Sequence, residues 1–124
     1  MNAKYAKRIG FLTKREDMTK EQFVQHWRTA HADLCKKIPG LKRYAINFID
    51  RDVYPNAAYD GFSELWFESK EAHDASLSSP EGKTLLADLP NFTSTICGVV
   101  AYEERFIWPA DDGLGTEARS NSGR

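Results

Sequence analysis

The sequence predicts an α+β domain in the order β-α-β-β-α-β, with a four-stranded antiparallel sheet and helices on one face. Three observations predict it. Runs rich in apolar, β-branched and aromatic residues at 8–13, 41–50, 59–67 and 95–107 read as strands. Segments with capping residues and helical periodicity separate the first strand from the second and the third from the fourth. Each such segment is long enough to cross one face of a sheet, which is the split βαβ, ferredoxin-like arrangement.

Arg8-Ile-Gly-Phe-Leu-Thr13 is short and apolar and gives the first strand. Thr19-Lys-Glu-Gln22 fits a capping box: the threonine hydroxyl accepts from the third helical amide and Gln22 reaches back. Met18 is placed to staple against Phe23. The helix that follows is expected over 19–36. Phe23, Val24, Trp27, Ala30, His31, Leu34 and Ile38 fall on one face of it at 3.6 periodicity. Pro39-Gly40 ends it, because proline disfavours helical geometry at Ile38 and glycine permits the turn. Strand two at 41–50 precedes a loop. Strand three at 59–67 follows, with Gly61 marking a bulge or a close backbone approach. Ser69 caps a helix at 70–78, and Ser79-Pro80 starts another that carries Leu85, Leu86 and Leu89 and stops before Pro90. The last strand is expected to run from 95 to 107, ahead of Trp108-Pro109.

The 124 residues suggest one domain, 1–109, with a polar tail at 110–124 poor in apolar residues. The net charge of −1 gives no basic field for nucleic acid or an anionic membrane. No apolar run is long enough to span a bilayer, and the first residues lack the apolar core of a signal peptide. A cytoplasmic protein is the expectation. Cys35 and Cys97, in different elements, are then expected to be free thiols.

A half-solvated antiparallel sheet should alternate apolar and polar residues. Residues 96–102 are apolar almost without alternation, and strand one is apolar on both faces. The second face needs a cover that the chain does not supply, and sheet-to-sheet dimerisation is the simplest one.

Among motifs, no GxGxxG, GxxxxGK[ST] or GxSxG occurs. His26 and His31, five residues apart, should point about 140° away from each other on an α-helix, which is not a metal-pair spacing. His31 and Cys35 have that spacing but lack further ligands nearby, so no metal is expected. His73 sits on another helix. What remains is acid–base chemistry without a cofactor. His31 is a histidine on an apolar stripe, where burial favours its neutral, proton-accepting form. The competing explanation is an ordinary hydrogen-bonded core residue. Tyr44, early in the next strand, suits donation to a carbonyl or enolate oxygen. Asn47 should face away from Tyr44, since three residues along a strand reverse the side. Phe23, Trp27, Trp66 and Phe92 are expected in the core or pocket wall, and His26 in solvent.

Phe23-x3-Trp27-x3-His31 followed by Pro39-Gly40-Leu41-x2-Tyr44-x2-Asn47 resembles the EthD-type proteins of the dimeric α+β barrel superfamily. Tyr59-Asp-Gly-Phe-Ser-Glu-Leu-Trp-Phe-Glu-Ser-x-Glu-Ala72, with Ser79-Pro80-Glu81, is similar to that family's second half. The resemblance covers about 7–107. It implies a homodimer whose sheets close a barrel and a small-molecule pocket between each sheet and its helices, with Phe23, Trp27, Leu65 and Phe92 at the substrate. Relatives include methylmuconolactone methylisomerases and enzymes that tailor aromatic polyketides. In the methylisomerase type a histidine and a tyrosine match His31 and Tyr44, and a cysteine stands where this chain has Leu65. The departure speaks against that particular isomerisation and leaves a His/Tyr proton-transfer site. The expectation is therefore a cofactor-independent isomerase or lyase acting on a lactone or cyclic phenolic carbonyl compound. A cofactor-free monooxygenase of aromatic polyketides and a non-catalytic small-molecule binder are the alternatives.

Overall fold

A computed structural model describes residues 5–110. The strands are β1 (Ala6–Lys14), β2 (Arg43–Phe48), β3 (Gly61–Phe67) and β4 (Thr93–Ala101). They form one antiparallel sheet in the order β2-β3-β1-β4. Between β1 and β2 run α1 (Lys20–His26), a π-helical turn (Trp27–His31) and α2 (Ala32–Cys35) as one rod. Between β3 and β4 come α3 (Lys70–Ser78), α4 (Pro80–Asp88) and a 3-10 turn (Leu89–Asn91). The fold is the expected α+β, ferredoxin-like one, with the helices on one face. No helix among the described residues is long and apolar enough to cross a membrane.

The element starts follow local chemistry. Thr19 accepts from the Gln22 amide at 3.1 Å and its own amide donates to the Gln22 side chain at 2.9 Å, so the capping box forms in full. Ser69 and Ser79 cap α3 and α4 with their hydroxyls alone, which accept from the Ala72 and Gly82 amides. Gly40 adopts φ +79° at the stop, a backbone geometry open to glycine. At Gly61 the close approach is real: an added Cβ would lie 2.8 Å from the Trp27 ring.

Three expectations change. The rod that starts at Lys20 is interrupted by a π turn. The 3-10 turn carries the chain through Pro90 instead of stopping before it. β4 ends at Ala101, six residues short of 107, because the next residues turn to an ionic network: Glu103 accepts from Trp66 Nε1 and Arg105 Nε, both at 2.6 Å. The tail from 111 onward lies outside the described residues.

Register fixes which side chains meet the helices. Tyr44, Leu65, Arg8 and Val100 form one cross-strand row. Ile46, Ser63, Gly10 and Gly98 form the next, and Phe48, Gly61, Leu12 and Ile96 the third. These rows face the helices. Leu65 and Phe67 pack with Cys35, Ile38 and Leu85. Leu12 packs with Phe23, Trp27 and Phe92. The opposite face carries Ile9, Phe11, Phe62 and Val99 at its centre. Phe11 meets Tyr59 and Phe62 at ring distances of 5.2 and 5.6 Å. Val99 is 41% exposed. Lys7 and Glu64, 3.0 Å apart, mark that face's charged end.

Candidate functional site

The middle row is where the site begins. Gly10, Ser63 and Gly98 carry little or no side chain, so three neighbouring strands leave a gap under the helices. A narrow cavity fills it, about 50 Å³ counted as space open to the centre of a water molecule. About 10–15 Å³ on that measure holds one water, so the space suits a small organic molecule or a few waters. Leu65, Leu85 and Leu89 make its wall apolar, and His31, Tyr44 and Arg8 supply its polar groups.

His31 is buried, and its Nδ1 lies 2.8 Å from Asp88 Oδ2 at the end of α4. A carboxylate only accepts, so Nδ1 carries the proton and Nε2 is left as the basic nitrogen. Burial lowers the His31 pKa below its ordinary 6.5, and the hydrogen bond and charge of Asp88 offset this only in part. Asp88 also accepts from His26 Nε2 at 2.9 Å and from Asn91 Nδ2 at 2.9 Å. Burial alone would raise the Asp88 pKa. The bonds from Asn91, His26 and His31 outweigh it and hold the carboxyl below its ordinary 3.8.

His26 is thus a bonded neighbour of the site, not a solvated side chain. The π turn explains it. The Ala32 amide donates to Trp27 O, five residues back. Residues five apart stack in π geometry, as residues four apart nearly do in an α-helix. His26 and His31 therefore turn towards one carboxylate instead of diverging by 140°.

The Tyr44 hydroxyl is buried and, among the described residues, meets no partner in good hydrogen-bond geometry, although the Cys35 thiol and the Trp27 indole lie close enough to influence it. Burial raises its pKa far above 10, so it is a donor and not a base. Cys35 and Trp27 lie beside it. Burial pushes the Cys35 thiol up to about 12, so it is not a nucleophile at neutral pH. The Trp27 Nε1 is a second buried donor that, among the described residues, meets no partner in good hydrogen-bond geometry.

The structure brings His31, Tyr44 and Leu65 onto one cavity, but not the other apolar residues assigned to the substrate. Phe23, Trp27 and Phe92 form a core cluster with Leu12, because Trp27 is drawn into the space above Gly61. Phe92 still touches the site's frame, with its ring 4.8 Å from those of His26 and His31. Asn47 is on the far face, donating to Glu64 at 3.1 Å. Among the described residues no group of three or more His, Cys, Asp or Glu side chains is arranged to hold a metal ion. Cys35 and Cys97 are free thiols.

Sequence reasoning missed Asp88 and Arg8. Each had a signal. Asp88 is an acid on the same helical stripe as Leu85, and Arg8 is a charge sharing strand parity with Gly10 and Leu12.

The chain is similar to known proteins along most of its length. An uncharacterised 11.0 kDa protein from the thcB–thcC intergenic region of Rhodococcus erythropolis is 34% identical over 88 residues, 70% of this chain and 84% of the relative. A solved EthD family protein from Bacillus halodurans superposes with a TM-score of 0.72 at 24% identity, covering 81% of this chain and 99% of that one. A dimeric ferredoxin-like protein of unknown function from Thermobifida fusca gives 0.63 at 20% identity, covering 83% and 94%. The hydroxynitrile lyase of Passiflora edulis gives 0.67 at 12% identity, covering 85% and 98%. The EthD domain matches residues 15–96, and with that match spanning more than half of its length the chain belongs to the EthD family.

Proposed function

We propose that this protein is a cofactor-independent isomerase or lyase that moves a proton at carbon beside a carbonyl, in a lactone or cyclic phenolic compound. One observation carries the reading: a buried tyrosine hydroxyl that meets no partner in good hydrogen-bond geometry among the described residues, and a carboxylate-held histidine, open onto the same small apolar cavity. A buried unpaired donor is costly to the fold, so its persistence beside a base favours use by a ligand.

In this mechanism His31 Nε2 removes the proton from the carbon next to the carbonyl. The C–H electron pair moves towards the carbonyl and leaves an enolate oxygen, to which Tyr44 donates. Asp88 fixes the His31 tautomer and stabilises the imidazolium that forms. Where a double bond is conjugated with the enolate, the imidazolium then returns its proton to the far end of that dienolate, and the double bond shifts, which isomerises the substrate. Alternatively the enolate collapses with loss of a leaving group on the adjacent carbon, and the proton goes to that group. The likeness in fold to a hydroxynitrile lyase is compatible with such proton transfer but does not choose a substrate.

The test is solvent deuterium incorporation, read by NMR, across a panel of lactones and hydroxylated cyclic ketones. Wild-type protein should exchange the proton beside the carbonyl, and His31→Ala should slow that exchange by about 10²–10⁴-fold. Equal exchange by His31→Ala would overturn the assignment. Ligand affinity that survives in His31→Ala and Tyr44→Phe, with no exchange by any form, would make the protein a binder. Oxygen uptake with an electron-rich aromatic substrate would instead indicate a monooxygenase.

The protein is further proposed to work as a cytoplasmic homodimer through the open sheet face. Phe11, Phe62 and the exposed Val99 support the interface, and two unpaired cysteines support the compartment.

A further inference from the structure

Arg8 has no role in the proton transfer, yet its guanidinium lines the same cavity. We infer that Arg8 is the docking point for a carboxylate on the substrate, so that the lactone or cyclic carbonyl compound the protein prefers also carries an acid group. The inference rests on the proposed site and adds the substrate's charge to it.

Four observations support it. Arg8 stands on the central strand β1, inside the sheet–helix layer, and no carboxylate pairs with it among the described residues. Its contact there is with His73 Nε2, 3.3 Å from Arg8 Nη1. Arginine only donates, so Nε2 accepts and His73 Nδ1 carries the proton that goes to Asp74 Oδ1 at 2.8 Å. The buried His73 therefore positions the guanidinium without neutralising it. Secondly, one of five N–H groups is used in this way, and the others remain for a planar, two-oxygen acceptor. Thirdly, the sheet makes room for the head group: a Cβ at Gly98 would fall 2.5 Å from Arg8 Nη2 and 3.1 Å from Cζ. Fourthly, the carboxylate that holds His31 is already matched. Asp88 is engaged by His26, His31 and Asn91, which leaves Arg8 as the unmatched charge on the cavity wall. Burial lowers the Arg8 pKa from its ordinary 12.5, the direction expected of a cation that has lost water and gained no counter-ion.

Spacing agrees. Arg8 and Tyr44 are in one cross-strand row with Leu65 between them, which sets their backbones about 10 Å apart at the usual strand separation. Side chains reaching in from both ends leave a gap that one small ring spans. Its carboxylate would sit at Arg8 and its carbonyl oxygen at Tyr44, with the reacting carbon under His31.

Calorimetric titration of the full chain with benzoate and its neutral isostere benzamide tests this without knowledge of the substrate. Wild-type protein should bind benzoate about tenfold or more tightly than benzamide, the ratio expected of a charge-assisted hydrogen bond. Added salt should erode that preference. Arg8→Gln should remove it by weakening benzoate much more than benzamide. Equal affinity for both probes in wild-type protein overturns the inference and needs no variant to fold, as does absence of binding by either. Inorganic phosphate binding more tightly than benzoate also overturns it, because the site would then serve a free oxyanion. None of these readouts involves turnover, so failure here is distinct from failure of the His31 assignment.

Discussion

Asp88 accepts from three side chains at once, and two of them are histidines. Asp88→Asn removes the influence that raises the His31 pKa and leaves the burial that lowers it. His31 should then titrate at still lower pH by NMR, and proton exchange should fall by about a hundredfold or more as the tautomer is lost. Tyr44→Phe separates stability from activity. It deletes a buried hydroxyl that meets no well-placed partner among the described residues, so thermal unfolding should show stability unchanged or raised by up to about 1 kcal/mol. Exchange should nonetheless drop by about 10²–10³-fold. Acid should weaken the fold through both groups. A histidine whose folded pKa lies below 6.5 binds its proton more readily when unfolded, so stability present above 6.5 is lost as pH falls through the lower folded value. Asp88 acts in the same direction below 3.8. Denaturant midpoints measured from neutral to acid pH should decline in those two windows. The histidine and tyrosine were legible because each broke a local pattern. Asp88 was not, because its meaning lies in a contact 57 residues away.

The rod from Lys20 to Cys35 is regular at its start and irregular where it carries the site. Its start was legible to the residue, since a capping box is a contact between neighbours in sequence. Thr19→Ala should cost about 1 kcal/mol by thermal or chemical unfolding. The π turn was not legible, because a fixed period of 3.6 was assumed throughout. That assumption put Ala30 on the buried face and His26 in solvent; Ala30 is exposed and His26 is bonded. Deleting the exposed Ala30 would turn the five-residue spacing of the histidines into four, which an α-helix stacks. The shortened helix should therefore fold, with unfolding temperature changed by no more than about 5 °C. Loss of folding on that deletion would show that the core depends on the wider turn.

Across the whole molecule, the order of elements and the helix-covered face were legible because capping signals and crossover length constrain them together. Strand ends were not: β4 stops where Glu103 finds Trp66 and Arg105, contacts outside any periodic pattern. The open sheet face makes the whole-molecule prediction. If the proposed dimer forms through this face, Phe11→Glu should shift the protein to monomer in sedimentation without loss of helical signal, since Phe11 meets Tyr59 and Phe62 and not the helices. The row of small residues has a different consequence, for how this scaffold diversifies. Enlarging Gly98 displaces Arg8, and a Cβ at Gly10 already meets Ser63 Oγ at 3.0 Å. Of the three small residues of that row, Ser63 alone already carries a side chain to exchange for a larger or smaller one. A single codon can resize the chamber for bulkier or slimmer guests while the proton-handling groups stay in place, so changes of diet in this lineage, or in a laboratory selection, should register first at Ser63.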